Sequence, residues 1–526
     1  MNIYPCGMPA GTSGDKVSID PSAPSSPWAA RLAPSRIVAF AVFAAIPVKL
    51  LARRLEDPDL WWHLKTGALI VRNHAIPAVD PYSYTAAGKP WIVQEWLSEV
   101  ILYGIHKAFG LYGILFYRAI VVLIVYVLVA RLLVRRMGSG MGTWALLGLT
   151  AFAGAINWTE RPNLLSFLLF VVTLTLLERR DRWIWWFLPL AVLWSNLHGM
   201  VVLGIGLVAL VALVEWLKIL ARWPGADRTW AKRLGLVSLT GIGAAFLNPY
   251  GPGLFVHAFR LIRLVQNFVG EWASPDFHQS GQIVFMVLVL VTVAVLAFNP
   301  ERPDATDIAL VLAFTVLALQ AARNLAVAAI VLGVVCARYL PGALSVLPRR
   351  PSQRKDVGES SSVLLGVMGL FVVLIGLGVV LAAGFPHSSQ PKDIVDKKFP
   401  IAAIRALDRP GVRLFVQDGW SGLAIYYDCG PVPTIEQGCQ HARVFVDLRW
   451  DFYGAKLSDE YDAIHNAGPD WKKDLNSSCT TDVLVTPGAP ITQVLALDPD
   501  WQLIQQDKLS VTYHRTKPFV GCPQLS

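Results

Sequence analysis

The sequence predicts a mainly α-helical chain: a polytopic membrane bundle of about eleven transmembrane helices, ending in a small α/β domain. Composition is the first reason, because 54% of the 526 residues are hydrophobic and only 16% are charged, far more apolar than a soluble domain of average make-up. The second is the recurrence of apolar runs near the length a bilayer demands, about 20 residues each. The third is a change after residue 384 to soluble composition, in which short β-prone runs alternate with helical ones, the pattern of an α/β unit.

In chain order, residues 1–35 are rich in Pro, Ser, Gly and Ala without an apolar core, and read as a disordered cytoplasmic tail rather than a signal peptide. The membrane domain covers 36–341, with spans expected at 36–54, 111–133, 142–157, 163–178, 184–199, 200–220, 234–249, 281–298, 307–322 and 325–341. A basic linker and a last span at 362–384 fill 342–384, and 385–526 form the extracytoplasmic α/β domain. Within it, 400–407 and 491–497 read as helices, and 412–417, 444–447, 481–486, 501–506 and 510–514 as strands. Cys429, Cys439, Cys479 and Cys522 all fall in this domain, which fits one or two disulfides in an oxidising compartment, their pairing open.

One segment decides the topology. Residues 91–109 carry an apolar face of Trp91, Trp96, Leu97, Val100, Ile101 and Tyr103 against Glu95, Glu99, His106 and Lys107, so they suit a helix lying in the interface rather than crossing it. With the N-terminus inside, the clusters Arg131/Arg135/Arg136, Arg179/Arg180/Arg182, Arg222/Arg228/Lys232/Arg233 and Arg349/Arg350/Arg354/Lys355 then become cytoplasmic, as the positive-inside rule requires. The same sorting explains the net charge of +9 without nucleic acid. It also places the loop 55–110, the motifs near Arg161, His198 and Glu271, the Arg323 boundary and the C-terminal domain on the external face.

The first loop holds the densest chemistry. Asp57 and Asp59 flank Pro58, which disfavours helix before it, so both acids are expected to leave the helix and point into open space. A carboxylate there takes a proton from an acceptor hydroxyl or amine, or holds a divalent cation. His63, Lys65, Asp80 and Glu95 share the loop, which is longer than a simple connection needs. Arg161 and Arg323 sit at the outer ends of spans, and either guanidinium suits a phosphate; His198 and Glu271 are further polar candidates on that face. No Walker loop, Gly-x-Ser-x-Gly elbow or His-Glu-x-x-His occurs, which excludes the ATP-driven, serine-hydrolase and zinc-protease readings. A flippase or transporter of lipid-linked saccharides would need polar residues through the membrane depth, and a polymer-binding scaffold would not need so many spans.

The stretches Asp57-Pro58-Asp59-Leu60-Trp61-Trp62-His63, Asp80-Pro81-Tyr82-Ser83-Tyr84-Thr85, Pro90-Trp91 with Glu95-Trp96-Leu97, Arg161-Pro162-Asn163 and Asn196-Leu197-His198-Gly199 resemble those of the GT-C superfamily, membrane glycosyltransferases that use polyprenyl-phosphate-linked sugars. The resemblance covers 36 to about 341; Val444-Phe445-Val446-Asp447-Leu448-Arg449 resembles tails on some of these proteins. It implies a bacterial inner-membrane enzyme that transfers sugar, with inversion, from a polyprenyl-phosphate donor to an envelope acceptor. By position Asp57 would be the base and Asp59 a second acid. Members differ in whether they need a cation, so the implied cofactor is none or a divalent ion such as Mg or Mn, held by Asp57 and Asp59.

Overall fold

The computed structural model describes residues 34–257, 270–346, 394–407, 409, 411–427, 442–519 and 522. The expected tail, the span at 362–384, Cys429 and Cys439 lie outside the described residues. The membrane part is built from α1 (Pro34–Ala52), α2 (Leu60–Asn73), α3 (Trp96–Met137), α4 (Met141–Ala153), α5 (Asn163–Arg179), α6 (Phe187–Leu197), α7 (Val201–Leu220), α8 (Arg228–Ala245), α9 (Ser280–Phe298), α10 (Ala305–Gln320) and α11 (Leu325–Ser345). Each apolar run expected within the described residues forms a helix. Among those residues four helices are long and apolar enough to cross a bilayer: α3, α7, α9 and the stretch Ala322–Ser345.

The outer faces of α7 to α10 leave Leu213, Leu220, Leu239, Leu290, Phe298 and Leu312 mostly exposed. A surface of that kind asks for lipid rather than water. Inside, Trp144, Trp194, Phe170 and Phe314 fill the centre of the bundle.

The amphipathic and spanning parts of α3 are separated by a break at Gly110, whose φ of 61° and ψ of −159° interrupt the helix. Glycine has the freedom to take that conformation, and it falls where the sequence changes from mixed to wholly apolar. Before the break, α3 lies against α2 so closely at Gly67 that a β-carbon there would collide with the Glu99 carbonyl. That approach brings the polar faces of the two helices together.

The C-terminal part consists of α12 (Ile401–Ala406), β1 (Val412–Val416), α13 (Asp418–Tyr427), β2 (Ala442–Val444), α14 (Trp450–Tyr453), α15 (Ala455–His465), α16 (Trp471–Ser477), β3 (Asp482–Val485), α17 (Ile491–Leu495), β4 (Trp501–Gln506) and β5 (Val511–Arg515). The sheet runs β2-β1-β3-β5-β4; β1 is parallel to β2 and β3, and the terminal hairpin is antiparallel. Central strands β1 and β3 are buried throughout, as parallel strands covered on both faces are. Cys479 and Cys522 form a disulfide, with Cα atoms 6.2 Å apart.

This sheet is joined to the first loop of the membrane part. Tyr84 donates its N–H to the Val444 carbonyl and Val444 to that of Tyr82, each at 3.1 Å, so 82–84 extend the sheet beyond β2. Leu55, just past α1, pairs in the same way with Ile394 and Asp396. Gly422 of α13 meets the Pro58 carbonyl where no side chain fits.

Candidate active site

The site begins with the backbone of 57–59. Asp57 accepts the Asp59 N–H at 2.9 Å, folding its carboxylate back over Pro58 instead of outward. Its second oxygen meets Arg161 Nε at 2.6 Å, and the side chain is almost fully buried. Only one of the two acids therefore reaches open space. Asp59 precedes the first turn of α2 without capping it; its oxygens instead meet Trp62 Nε1 at 3.1 Å and Arg161 Nη2 at 3.1 Å. Burial pushes the Asp59 carboxyl up to about 6, the Arg161 charge opposing and that of Asp57 adding.

Arg161 continues outward to Glu271 at 2.9 Å. Glu271 lies a loose 3.8 Å from Arg323, whose guanidinium stacks on Trp272 at 4.2 Å. Arg161 is thus committed to three carboxylates, while Arg323, among the described residues, keeps most of its donors free for another anion. Glu160, a sequence neighbour of Arg161, belongs elsewhere: it is buried against Arg118, which also binds the carbonyls at the end of α1.

A second set of charges faces the first. His63 of α2 stands between Glu95 at 3.4 Å and Glu99 at 3.1 Å, and His198 Nε2 approaches the other Glu95 oxygen at 3.0 Å. Burial works against charge on Glu95, but His198, His63 and Arg323 overcome it and hold the carboxyl down at about 2. Burial likewise opposes the His63 cation, and the hydrogen bond to Glu99 with the charges of Glu95, Glu99 and Asp59 raises its pKa in spite of it. The result is a fixed pair of imidazoles around one permanent anion.

These residues line a single cavity of about 550 Å³. Its polar end is formed by Asp59, His63, Glu95, Glu99, Arg161, His198, Glu271 and Arg323, and its flank by Val202, Leu203, Leu207 and Leu210 of α7 with Ala313, Phe314 and Leu317 of α10. Gly206 opens onto the flank, whereas Gly204 is filled by Trp194. The expected residues Lys65 and Asp80 do not line the cavity. Lys65 is buried on α2, and Asp80 closes a turn by accepting the Tyr82 and Ser83 N–H groups and meets Arg449 at 2.6 Å.

Leu448, Arg449, Trp450 and Asp451 of the C-terminal part also line it, a contribution sequence reasoning missed. Their signal was positional, since they follow the carboxyl end of a parallel strand, where α/β sheets place their ligands.

A divalent cation does not fit the carboxylate pair as it stands. All four oxygens of Asp57 and Asp59 are engaged by protein donors, with Arg161 bridging the two, so an ion would have to displace a guanidinium. No group of three or more candidate ligands occurs among the described residues.

Fold and site together define the class: a helical membrane bundle with a smaller α/β part closing over a cavity beside the first loop. Two solved structures of the archaeal oligosaccharyltransferase from Archaeoglobus fulgidus share this architecture. One, tethered to an acceptor peptide containing an NVT sequon, is 13% identical with a TM-score of 0.52, covering 85% of this chain and 68% of that one. The other, AglB in complex with an inhibitory peptide and a dolichol-phosphate, is 11% identical with a TM-score of 0.50, covering 87% and 70%. ArnT from Cupriavidus metallidurans, bound to undecaprenyl phosphate, is 12% identical with a TM-score of 0.45 over 92% of this chain and 97% of its own. The likeness is one of fold. No protein-family model matches the chain, and the comparison with curated proteins returns no match.

Proposed function

We propose that this protein is an integral membrane glycosyltransferase that moves a sugar from a polyprenyl-phosphate-linked donor to an acceptor at the external face of a bacterial inner membrane, with inversion. The observation that carries the reading is the union, in one cavity, of a charged end and an apolar flank on α7 and α10. A lipid-linked phosphosugar has that same division. The isoprenoid lies along the flank, and the phosphate reaches Arg323, the arginine with donors to spare.

Asp59, the acid that lines the cavity, is the base. It takes the proton of the acceptor hydroxyl or amine as that atom attacks the anomeric carbon. The bond from that carbon to the phosphate oxygen breaks, and polyprenyl phosphate leaves with its charge on Arg323. Asp57, favoured from sequence position as base, serves to hold Arg161, and Arg161 positions Asp59. Neutralisation by Arg161 and Arg323 does the work a cation would do, so the reaction runs without one. The orientation expected from the basic clusters, with an external C-terminal domain, supports a reaction at the outer face.

The test is incubation of the purified protein with a panel of radiolabelled polyprenyl-phosphate sugars and a cell-envelope fraction. Release of polyprenyl phosphate with label transferred to the envelope, unchanged by EDTA, is the expected result. Tight binding without any release overturns the enzyme reading.

A further inference from the structure

Three residues lining the cavity carry a buried polar atom that, among the described residues, has no hydrogen-bond partner: Asn163 with its Oδ1, and the charged pair Glu99 and Arg449 with Oε2 and Nη1. An unmet carboxylate oxygen or guanidinium N–H costs stability wherever it is buried, and of those among the described residues only the Glu99 and Arg449 atoms belong to residues lining the cavity, where a ligand can meet them. One is an acceptor and the other a donor, and both belong to residues that line the same cavity. Trp62 and Trp91 stand in the same wall with ring centroids 6.2 Å apart, and Arg449 lies 4.3 Å over the Trp91 ring.

The ligand class follows from charge. Arg449 is already matched by Asp447 and Asp80, each at 2.6 Å; one cation between two anions leaves no attraction for a further anion. Its remaining N–H suits a neutral oxygen, and Glu99 Oε2 suits a hydroxyl that donates. Aromatic faces beside a donor and an acceptor match a ring that is apolar above and hydroxylated at its edge. Resting on the donor reading above, we infer that Glu99 and Arg449 form the subsite for the donor's neutral sugar ring, so the C-terminal domain determines which sugar is accepted. The phosphate stays at the Arg323 side.

The experiment uses full-length protein in nanodiscs, titrated with undecaprenyl phosphate and with a panel of undecaprenyl-phosphate hexoses and pentoses. Wild type binds at least one glycosylated carrier more tightly than the bare one. Glu99→Gln and Arg449→Lys each reduce that advantage about tenfold, as loss of a hydrogen bond to a charged group does, and leave bare-carrier affinity within about twofold. Variants that keep the advantage, or that lose both ligands in parallel, overturn the subsite. Wild type that binds the bare carrier but prefers no sugar overturns the subsite alone, and wild type that binds no carrier overturns the donor reading beneath it.

Discussion

The bundle buries charge at both ends of α5, α7, α10 and α11, and the two ends are built differently. Away from the cavity, Glu178, Glu215, Asp304 and Asp307 face Arg136, Arg180, Lys218 and Arg338, one base for each acid. At the cavity end, Asp57, Asp59 and Glu271 share Arg161 and Arg323, and Glu95 and Glu99 meet His63 and His198. The first network is charge-balanced and lines no part of the cavity; the second carries excess acid around open space. Along α7, from Val201 just past His198 to Lys218, the two are separated by roughly 26 Å at 1.5 Å per residue, close to the thickness of a hydrocarbon core. Balanced charge holds helices together, whereas unbalanced charge beside a cavity is available for a substrate.

Substitutions at the two ends should therefore separate activity from stability. The largest effect is expected for Asp59→Asn, which removes the base and should lower turnover about 10²–10⁴-fold while donor binding, read by titration, persists. Next, Arg323→Gln should cost about 10²–10³-fold in transfer through loss of leaving-group stabilisation, measured in the same assay. At the balanced end, Arg338→Ala strands Asp307, while Glu178 keeps Arg136, and should cost about 3 kcal/mol or more of stability. That loss is seen as a lower thermal midpoint, with the rate per folded molecule unchanged. A lowered rate per folded molecule would remove the distinction between the ends.

The smallest effects are in pH dependence. The working form of Asp59 is its anion, and its pKa is raised to about 6, so the transfer rate should fall as pH drops through about 6 rather than near the usual carboxylate value. Since the Asp57 charge contributes to that rise, Asp57→Asn should move the acid limb to lower pH while transfer continues. If Asp57→Asn instead abolishes transfer and Asp59→Asn does not, the roles of the two acids are the reverse of those proposed.

Much of the site was legible because positive charge sorts by side. On the orientation expected from the arginine clusters, Asp59, His63, Glu95, Arg161, His198, Glu271 and Arg323 all fall at one boundary, and the fold brings all of them to the cavity. The choice between Asp57 and Asp59 was not legible, since it depends on one backbone N–H that folds Asp57 back. Lys65 shares α2 with His63 but lies two residues on, about 200° around the helix, so one face cannot present both. Asp80 spends its oxygens on a turn and on Arg449. Arg449 itself lies far along the chain, and no local pattern links it to the first loop.

The helices of the membrane part and the strands of the small domain follow from periodicity and composition. Their joining does not. It rests on backbone pairs, Tyr84 with Val444 and Leu55 with Ile394, on the close approach at Gly422, on the Asp80–Arg449 ion pair and on Trp61 packed against Phe399 and Tyr426, contacts between residues too far apart in the chain for a local pattern to link.

Those joints bear on how the protein is made. The loop that carries Asp59 emerges early in synthesis, yet one wall of its cavity, 448–451, comes from the last fifth of the chain. A nascent protein inserted in the membrane thus holds an open and incomplete site until its C-terminal domain has reached the same face and docked on Pro58. On the proposed function, catalytic competence arrives only once 448–451 are made and docked, and products truncated before them remain silent instead of consuming lipid carrier.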